Sequence, residues 1–321
     1  MRTRKLGSQG PEISAIGFGA WEAGAGTEWG EPPPEEQIIQ AVRTSIDAGI
    51  TWIDSAEVYG DGRSEEIVGK AIAGRHDEVL IATKVAPAPE GSGFRPEQVR
   101  AACEGSLRRL GIDAVGLYQL HWPDETGVPV EETWGAMASL VDAGKVRFVG
   151  VSNFDREMIE KCLAVRHVDS LQQELSMLQL GERDHVAWCG ERGIGVVAYG
   201  PLAYGLLTGA ITPETTFAER DFRGGGGEDT ETYEALYAPG KIDRSLAVVD
   251  AMRPIAQRLG CRVAQLALAW NFHQAGVTSS IAGSRDPGHV RDNAAAGDIE
   301  LDDETLGELE ALLPLGPAFE D

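Results

Sequence analysis

The chain has 321 residues, 42% of them hydrophobic, and carries a formal net charge of −23 at pH 7. That hydrophobic fraction excludes a disordered chain, and the length suits either one large α/β barrel or two ordinary domains. The acidic balance makes nucleic acid and anionic membranes poor partners, because both repel a polyanion.

The opening segment, MRTRKLGSQG, is basic but has no apolar stretch of the kind a secretory leader needs. AIGFGAW (15–21) then reads as a first strand, and WGEPPPEE (29–36) as a proline-stiffened loop leading into a helix over 35–48. GITWIDS (49–55), VLIATKV (79–85) and AVGLYQLH (114–121) are the next strands, with helices expected over 64–73, 96–110 and 130–143. VRFVGVS (146–152), VDSLQQE (168–174) and GVVAYG (195–200) continue the series, with helices over 155–165 and 183–192. An irregular stretch, about 208–241, follows the seventh strand and holds four consecutive glycines at 224–227. GVTSSIAG (276–283) is the last strand.

Apolar strands separated by helices pair in parallel, and eight such units predict a (β/α)8 barrel, with residues 1–321 forming a single domain. Gly49, Gly111, Gly144, Gly193 and Gly276 each stand where a helix ends before a strand, a join that favours left-handed backbone. A doubly wound sheet is the competing architecture. It would carry G-x-G-x-x-G after its first strand, but Gly17 and Gly19 are followed by Glu22 where the third glycine belongs. The four cysteines, Cys103, Cys162, Cys189 and Cys261, form no C-x-x-C pair and suggest buried thiols in a reducing compartment. With no run of about 18 apolar residues to span a bilayer, a cytoplasmic protein is expected.

In such barrels the ends of the strands and the loops after them build the site. Those positions hold Trp21, Asp54, Tyr59, Lys84, His121, Trp122, Ser152, Asn153, Gln172, Tyr199 and Ser284. Singly, each has an ordinary structural reading: a turn cap, a strand-end lysine, a core histidine. Together they have chemical sense. A tyrosine is a weak acid, and an adjacent ammonium should lower its pKa and ready it for proton transfer. A carboxylate keeps that ammonium charged, and a histidine can hydrogen-bond a carbonyl oxygen. Side chains supply no hydride, so a cofactor is required. Asn153 and Gln172 offer amides to a nicotinamide carboxamide, and Tyr199 offers a flat ring to stack on.

DSAEVYG, ATKV, LYQLHWPD, VRFVGVSNF, SLQQELSML, VVAYGPLAYGLLTG and IAGSRDPGHVRDNAAA occur in this order along nearly the whole chain, and in this the sequence resembles the aldo-keto reductase family. The resemblance implies an NAD(P)(H)-dependent oxidoreductase whose cofactor lies extended across the barrel mouth. Tyr59 would be the acid/base, Lys84 would lower its pKa, Asp54 would pair with Lys84, and His121 would orient the carbonyl. Ser152, Asn153 and Gln172 would hold the carboxamide, with Tyr199 stacked on the ring. Trp21 and Trp122 would wall the substrate pocket, with residues near Trp29 as weaker candidates. Ser284 and Arg285 would contact the adenosine phosphate and Asn293 the adenine, so NADP(H) is favoured and NAD(H) possible. A bland alternative pairs Arg285 with Asp286 or Asp292. The chain departs from the family's usual residues at Leu175, Gly200 and Ala282.

Two rival functions follow from the same residues. A barrel glycosidase needs two carboxylates across a cleft; Glu57, Asp124, Glu125 and Glu174 are available, but the seventh strand ends without an acid. A cofactor-binding regulatory subunit of channel-associated type would keep the same tetrad, but would be expected to carry an interaction segment before residue 1. The histidines show no H-E-x-x-H or close H-x-H pair, so no metal is expected. The expected partner is a small carbonyl or alcohol.

Overall fold

The computed structural model describes residues 1–24, 29, 31–225 and 230–319. Strands β1 (Thr3–Lys5) and β2 (Glu12–Ser14) form a short antiparallel hairpin. Eight parallel strands follow: β3 (Ile16–Gly19), β4 (Trp52–Asp54), β5 (Leu80–Val85), β6 (Val115–Leu120), β7 (Val146–Ser152), β8 (Ser170–Glu174), β9 (Gly195–Tyr199) and β10 (Val277–Ile281). They close in the order β10-β3-β4-β5-β6-β7-β8-β9. The fold is a (β/α)8 barrel.

All eight expected strands are present, several trimmed at their ends; 49–55, for instance, shrinks to Trp52–Asp54. The expected helices appear as Glu35–Asp47, Arg63–Ile72, Pro96–Leu110, Val130–Asp142, Arg156–Leu163 and Arg183–Glu191. The five glycines at the helix-to-strand joins all have positive φ. At Gly276 the need is double, since φ is 88° and a Cβ would lie 2.3 Å from the Val186 carbonyl oxygen.

The hairpin and four helices, Lys241–Leu259, Val263–Phe272, Pro287–Ala295 and Asp303–Glu310, go beyond the elements expected from sequence. Three-residue strands are too short to show a period. Helix Val263–Phe272 buries residues around most of its circumference, so it has no amphipathic stripe to read. Lys241–Leu259 has Pro254 in its interior, which argues locally against a helix.

The core has two shells. One lies between strands and helices, and the other fills the barrel, where Leu6, Ile13, Trp52, Ala82, Leu117, Val197 and Ile281 pack together. Leu6 and Ile13 flank the turn of the hairpin, which floors the barrel at the strands' N-terminal ends. Trp52 crosses the lumen beside Gly17, where an added Cβ would meet its ring at 2.2 Å. Its Nε1 donates to Ser279 Oγ at 3.0 Å, and that hydroxyl donates to the Ser14 carbonyl at 2.7 Å. With the floor filled by carbon, polar side chains further along the strands are directed to the open C-terminal mouth.

After β9 the chain makes a turn at Ala203–Thr208, then short turns at Phe222–Gly224 and Tyr233–Tyr237. Tyr237 Oη donates to the Tyr204 carbonyl at 2.9 Å, tying the two ends of this segment together. Of the glycine run 224–227, Gly226 and Gly227 fall outside the described residues. No helix among the described residues is long and apolar enough to cross a membrane.

Candidate active site

Asp54 ends β4, and Lys84 lies one residue before the end of the neighbouring β5. Their side chains meet inside the mouth, Lys84 Nζ to Asp54 Oδ2 at 2.6 Å, with side-chain exposures of 0% and 4%. The ammonium also donates to the Ser55 carbonyl at 2.8 Å and to Tyr59 Oη at 3.2 Å. Its three protons thus have three acceptors, which fixes its direction. Tyr59 Oη lies 3.5 Å from His121 Nε2, with the two rings nearly perpendicular. The four residues expected to act together are therefore contiguous.

The charges within this cluster are set by burial and by neighbours. Burial opposes a charged Lys84, but Asp54 and Tyr59 together hold the ammonium above the ordinary lysine value. His121 is driven well below the ordinary histidine value by burial and then by the charge of Lys84, so the imidazole is neutral at pH 7. For Tyr59 the net direction is upward. Burial raises the phenol, Lys84 lowers it and Asp54 raises it again. Lys84 pulls the phenol down as expected, but desolvation outweighs the ammonium, and Tyr59 stands as a protonated phenol with a cation already in place.

A cavity of about 830 Å³ opens beside this cluster. Ser152, Asn153 and Gln172 line it together with Tyr199, Ser284, Arg285, Asn293, Trp21, Trp29 and Trp122. Asn153 adopts φ 58°, a left-handed conformation that asparagine tolerates. It accepts a hydrogen bond from Tyr199 Oη at 3.0 Å and donates to the His121 carbonyl at 3.4 Å. Gln172 donates one Nε2 proton to Asp54 Oδ1 at 2.9 Å, which leaves its carbonyl and its second N–H open to other partners. Trp21 lies 6.4 Å from the Tyr59 ring, and Trp122 packs on His121 at 4.5 Å.

Further along the cavity, Ser284 Oγ accepts from the Asp286 N–H at 3.1 Å. Arg285 has a 13% exposed side chain; its Nη2 donates to the Trp29 carbonyl, and Glu22 Oε2 lies 3.9 Å from its Nε. Its Nη1 is buried with no hydrogen-bond partner among the described residues. Asp286 instead caps helix Pro287–Ala295, and Asp292 pairs with Arg262 at 3.2 Å. A buried guanidinium with an unmet N–H fits an anionic ligand. The fit extends over the whole cavity: amides at one end beside the proton-transfer cluster, and an arginine, a serine and a buried asparagine at the other.

Residues 15–314 match a profile of the aldo/keto reductase family. This chain belongs to that family. It is 35% identical to the aldo-keto reductase YhdN of Bacillus subtilis (strain 168), covering 99% of this chain and 97% of the relative. Among solved structures it is similar to the glycerol dehydrogenase AKR11B4 of Gluconobacter oxydans, with a TM-score of 0.85 at 30% identity over 97% of this chain and 94% of that one. It is also similar to an aldo-keto reductase of Klebsiella pneumoniae solved with NADPH, with a TM-score of 0.75 at 32% identity over 98% and 96% of the two chains.

Beyond the residues foreseen, this aldo/keto reductase places Glu22, Tyr204, Phe222, Arg223 and His289 on the same cavity or against its wall. Trp21, Trp29, Tyr204 and Phe222 form a four-ring cluster in which every pair of centroids lies between 5.0 and 6.4 Å apart. Glu22 adjoins Trp21 and could have been flagged by that adjacency alone. Phe222 and Arg223 lie in the irregular stretch and had no local signal, whereas Tyr204 falls within the quoted segment VVAYGPLAYGLLTG without having been singled out.

Proposed function

We propose that the protein reduces the carbonyl group of an aldehyde or ketone, or oxidises the corresponding alcohol, with NADP(H) as the favoured cofactor. The observation that carries this reading is the contiguous Asp54–Lys84–Tyr59–His121 cluster facing the cavity. Tyr59 donates its phenolic proton to the carbonyl oxygen. The Lys84 ammonium, already 3.2 Å away, stabilises the phenolate that remains. Asp54 keeps Lys84 charged and aimed, and neutral His121 donates or accepts a hydrogen bond at the same oxygen without adding a second cation. In the oxidative direction the same phenolate takes the proton back.

A bound reduced nicotinamide supplies the hydride. Ser152, Asn153 and the Gln172 carbonyl hold its carboxamide, and Tyr199 presents a ring to it. At the far end Ser284 and Arg285 receive the adenosine phosphate, and Asn293 the adenine. The NADPH complex of the Klebsiella relative supports that choice of cofactor. Trp21 and Trp122 flank the carbonyl substrate.

Two of the four carboxylates offered for a glycosidase are engaged in backbone structure. Glu57 accepts from the backbone N–H groups of Ala86 and Ser92, and Asp124 organises a turn with Thr126 and Val128. A panel of aldehydes, ketones and sugars offered with NADPH and with NADH tests the reading. Loss of reduced-nicotinamide absorbance on a member of the panel is expected. Tight cofactor binding without turnover on any of them would favour the regulatory-subunit reading instead.

A further inference from the structure

Two groups of opposite charge line the same cavity beside each other. Arg285 presents a buried Nη1 that has no hydrogen-bond partner among the described residues, with its other terminal nitrogen held by the Trp29 carbonyl. Glu22 presents a carboxylate whose side chain is 26% exposed and lines the cavity. The pair is loose: 3.9 Å from Arg285 Nε lies beyond hydrogen-bond reach. The second nearby cation, Arg223, is already matched by Asp221, through Nε at 2.9 Å and Nη2 at 2.6 Å. Burial pushes the Glu22 carboxyl above its ordinary value, and the charges of Arg285 and Arg223 work against that rise. A carboxylate has about four acceptor sites, so capacity remains toward the cavity.

The two cofactors differ at one place. NADPH carries a phosphate on the adenosine ribose where NADH carries a hydroxyl. An arginine suits the phosphate, and an acidic side chain suits the hydroxyl. A site selective for NADPH alone gains nothing from a carboxylate beside its arginine, because that carboxylate repels the phosphate and screens the guanidinium. Here both are present, Glu22 on the short helix Trp21–Gly24 after β3 and Arg285 on the loop after β10.

Resting on the cofactor site read above, we propose that Glu22 is a cofactor-selectivity residue that makes this end of the cavity serve both cofactors. Its carboxylate accepts hydrogen bonds from the ribose hydroxyls of NADH and opposes the added charge of NADPH. Arg285 turns its free Nη1 to the phosphate when NADPH binds. Glu22 takes no part in proton transfer, so its substitution changes which cofactor is bound rather than the chemistry at Tyr59.

The test is a fluorescence titration of the full-length protein with NADPH and with NADH, before and after Glu22→Gln. Calorimetric titration with adenosine 2′,5′-bisphosphate and with AMP isolates the adenosine end. Wild-type Kd values for the two cofactors should lie within about 30-fold of each other; a preference beyond about 1,000-fold for NADPH overturns the proposal without any variant. In Glu22→Gln, NADPH and the bisphosphate should bind about 3- to 10-fold more tightly, while NADH and AMP weaken by a similar factor. Equal shifts for both cofactors, or a larger loss for NADPH, would refute the role of Glu22 while leaving the cofactor site intact. Failure of the wild type to bind either cofactor would instead remove the reading on which this inference rests.

Discussion

Replacing Lys84 by methionine removes the cation that donates to Tyr59 Oη while keeping a side chain of similar length. The ammonium is 3.2 Å from the phenolic oxygen. At an effective dielectric of about 20, a unit charge at that distance is worth about 5 kcal/mol to a developing phenolate. The same figure corresponds to about four pKa units, or about a 10⁴-fold change in rate if fully expressed in the transition state. Partial charge development reduces it, so kcat should fall between about 10²- and 10³-fold. Stability should fall as well, since Asp54 is left as a buried carboxylate with Gln172 as its remaining side-chain donor; breaking such a pair costs about 3–5 kcal/mol. Single-turnover rates at saturating cofactor separate the first effect from binding, and thermal unfolding measures the second. The double variant Asp54→Asn/Lys84→Met should recover much of the stability and none of the rate. Turnover within a few-fold of wild type in a folded Lys84→Met protein would refute the role given to the ammonium.

Three further outcomes follow from the same geometry. Arg285→Ala should weaken NADPH binding about 10- to 100-fold in a fluorescence titration and NADH by a few-fold at most; equal losses would defeat the phosphate assignment. His121 has a folded-state pKa below its ordinary value, so the unfolded chain binds the proton first as pH falls. Its contribution to stability is intact above about pH 6.5 and is lost below it, at up to about 1.4 kcal/mol per pH unit. Denaturant unfolding of wild type and His121→Gln across that range should show the difference narrowing in acid. Gly17→Ala places a methyl carbon 2.2 Å from the Trp52 ring in the barrel lumen, and overpacking there should cost about 1–3 kcal/mol in the same assay.

Much of the barrel was readable because its strands and helices differ in period and are punctuated by glycine. Asp54, Tyr59, Lys84 and His121 were readable because polar residues ending apolar strands need a reason to be there. What escaped did so on physical grounds. Helix Val263–Phe272 is buried around its circumference and shows no stripe. The strands of the hairpin that floors the barrel are three residues each. Arg223 reaches the cavity and Phe222 packs on the rings at its wall from an irregular segment, where contact depends on tertiary path rather than on spacing. The direction of the Tyr59 pKa also escaped, because a list of neighbours reveals the charge of Lys84 but not how far the phenol is removed from water. That one of the two N–H groups of Gln172 is committed to Asp54 was likewise not legible in the sequence.

The central claim is that Tyr59 passes its proton to a carbonyl. Tyr59→Phe removes one oxygen atom and keeps the ring against Trp21 and His121. The decisive measurement is a single turnover of the NADPH complex with a reactive aldehyde, followed at the reduced-nicotinamide band, for wild type and for this variant. NADPH affinity should be unchanged while the rate of nicotinamide oxidation falls by at least about 10²-fold. A Tyr59→Phe protein that oxidises NADPH at the wild-type rate would contradict the account.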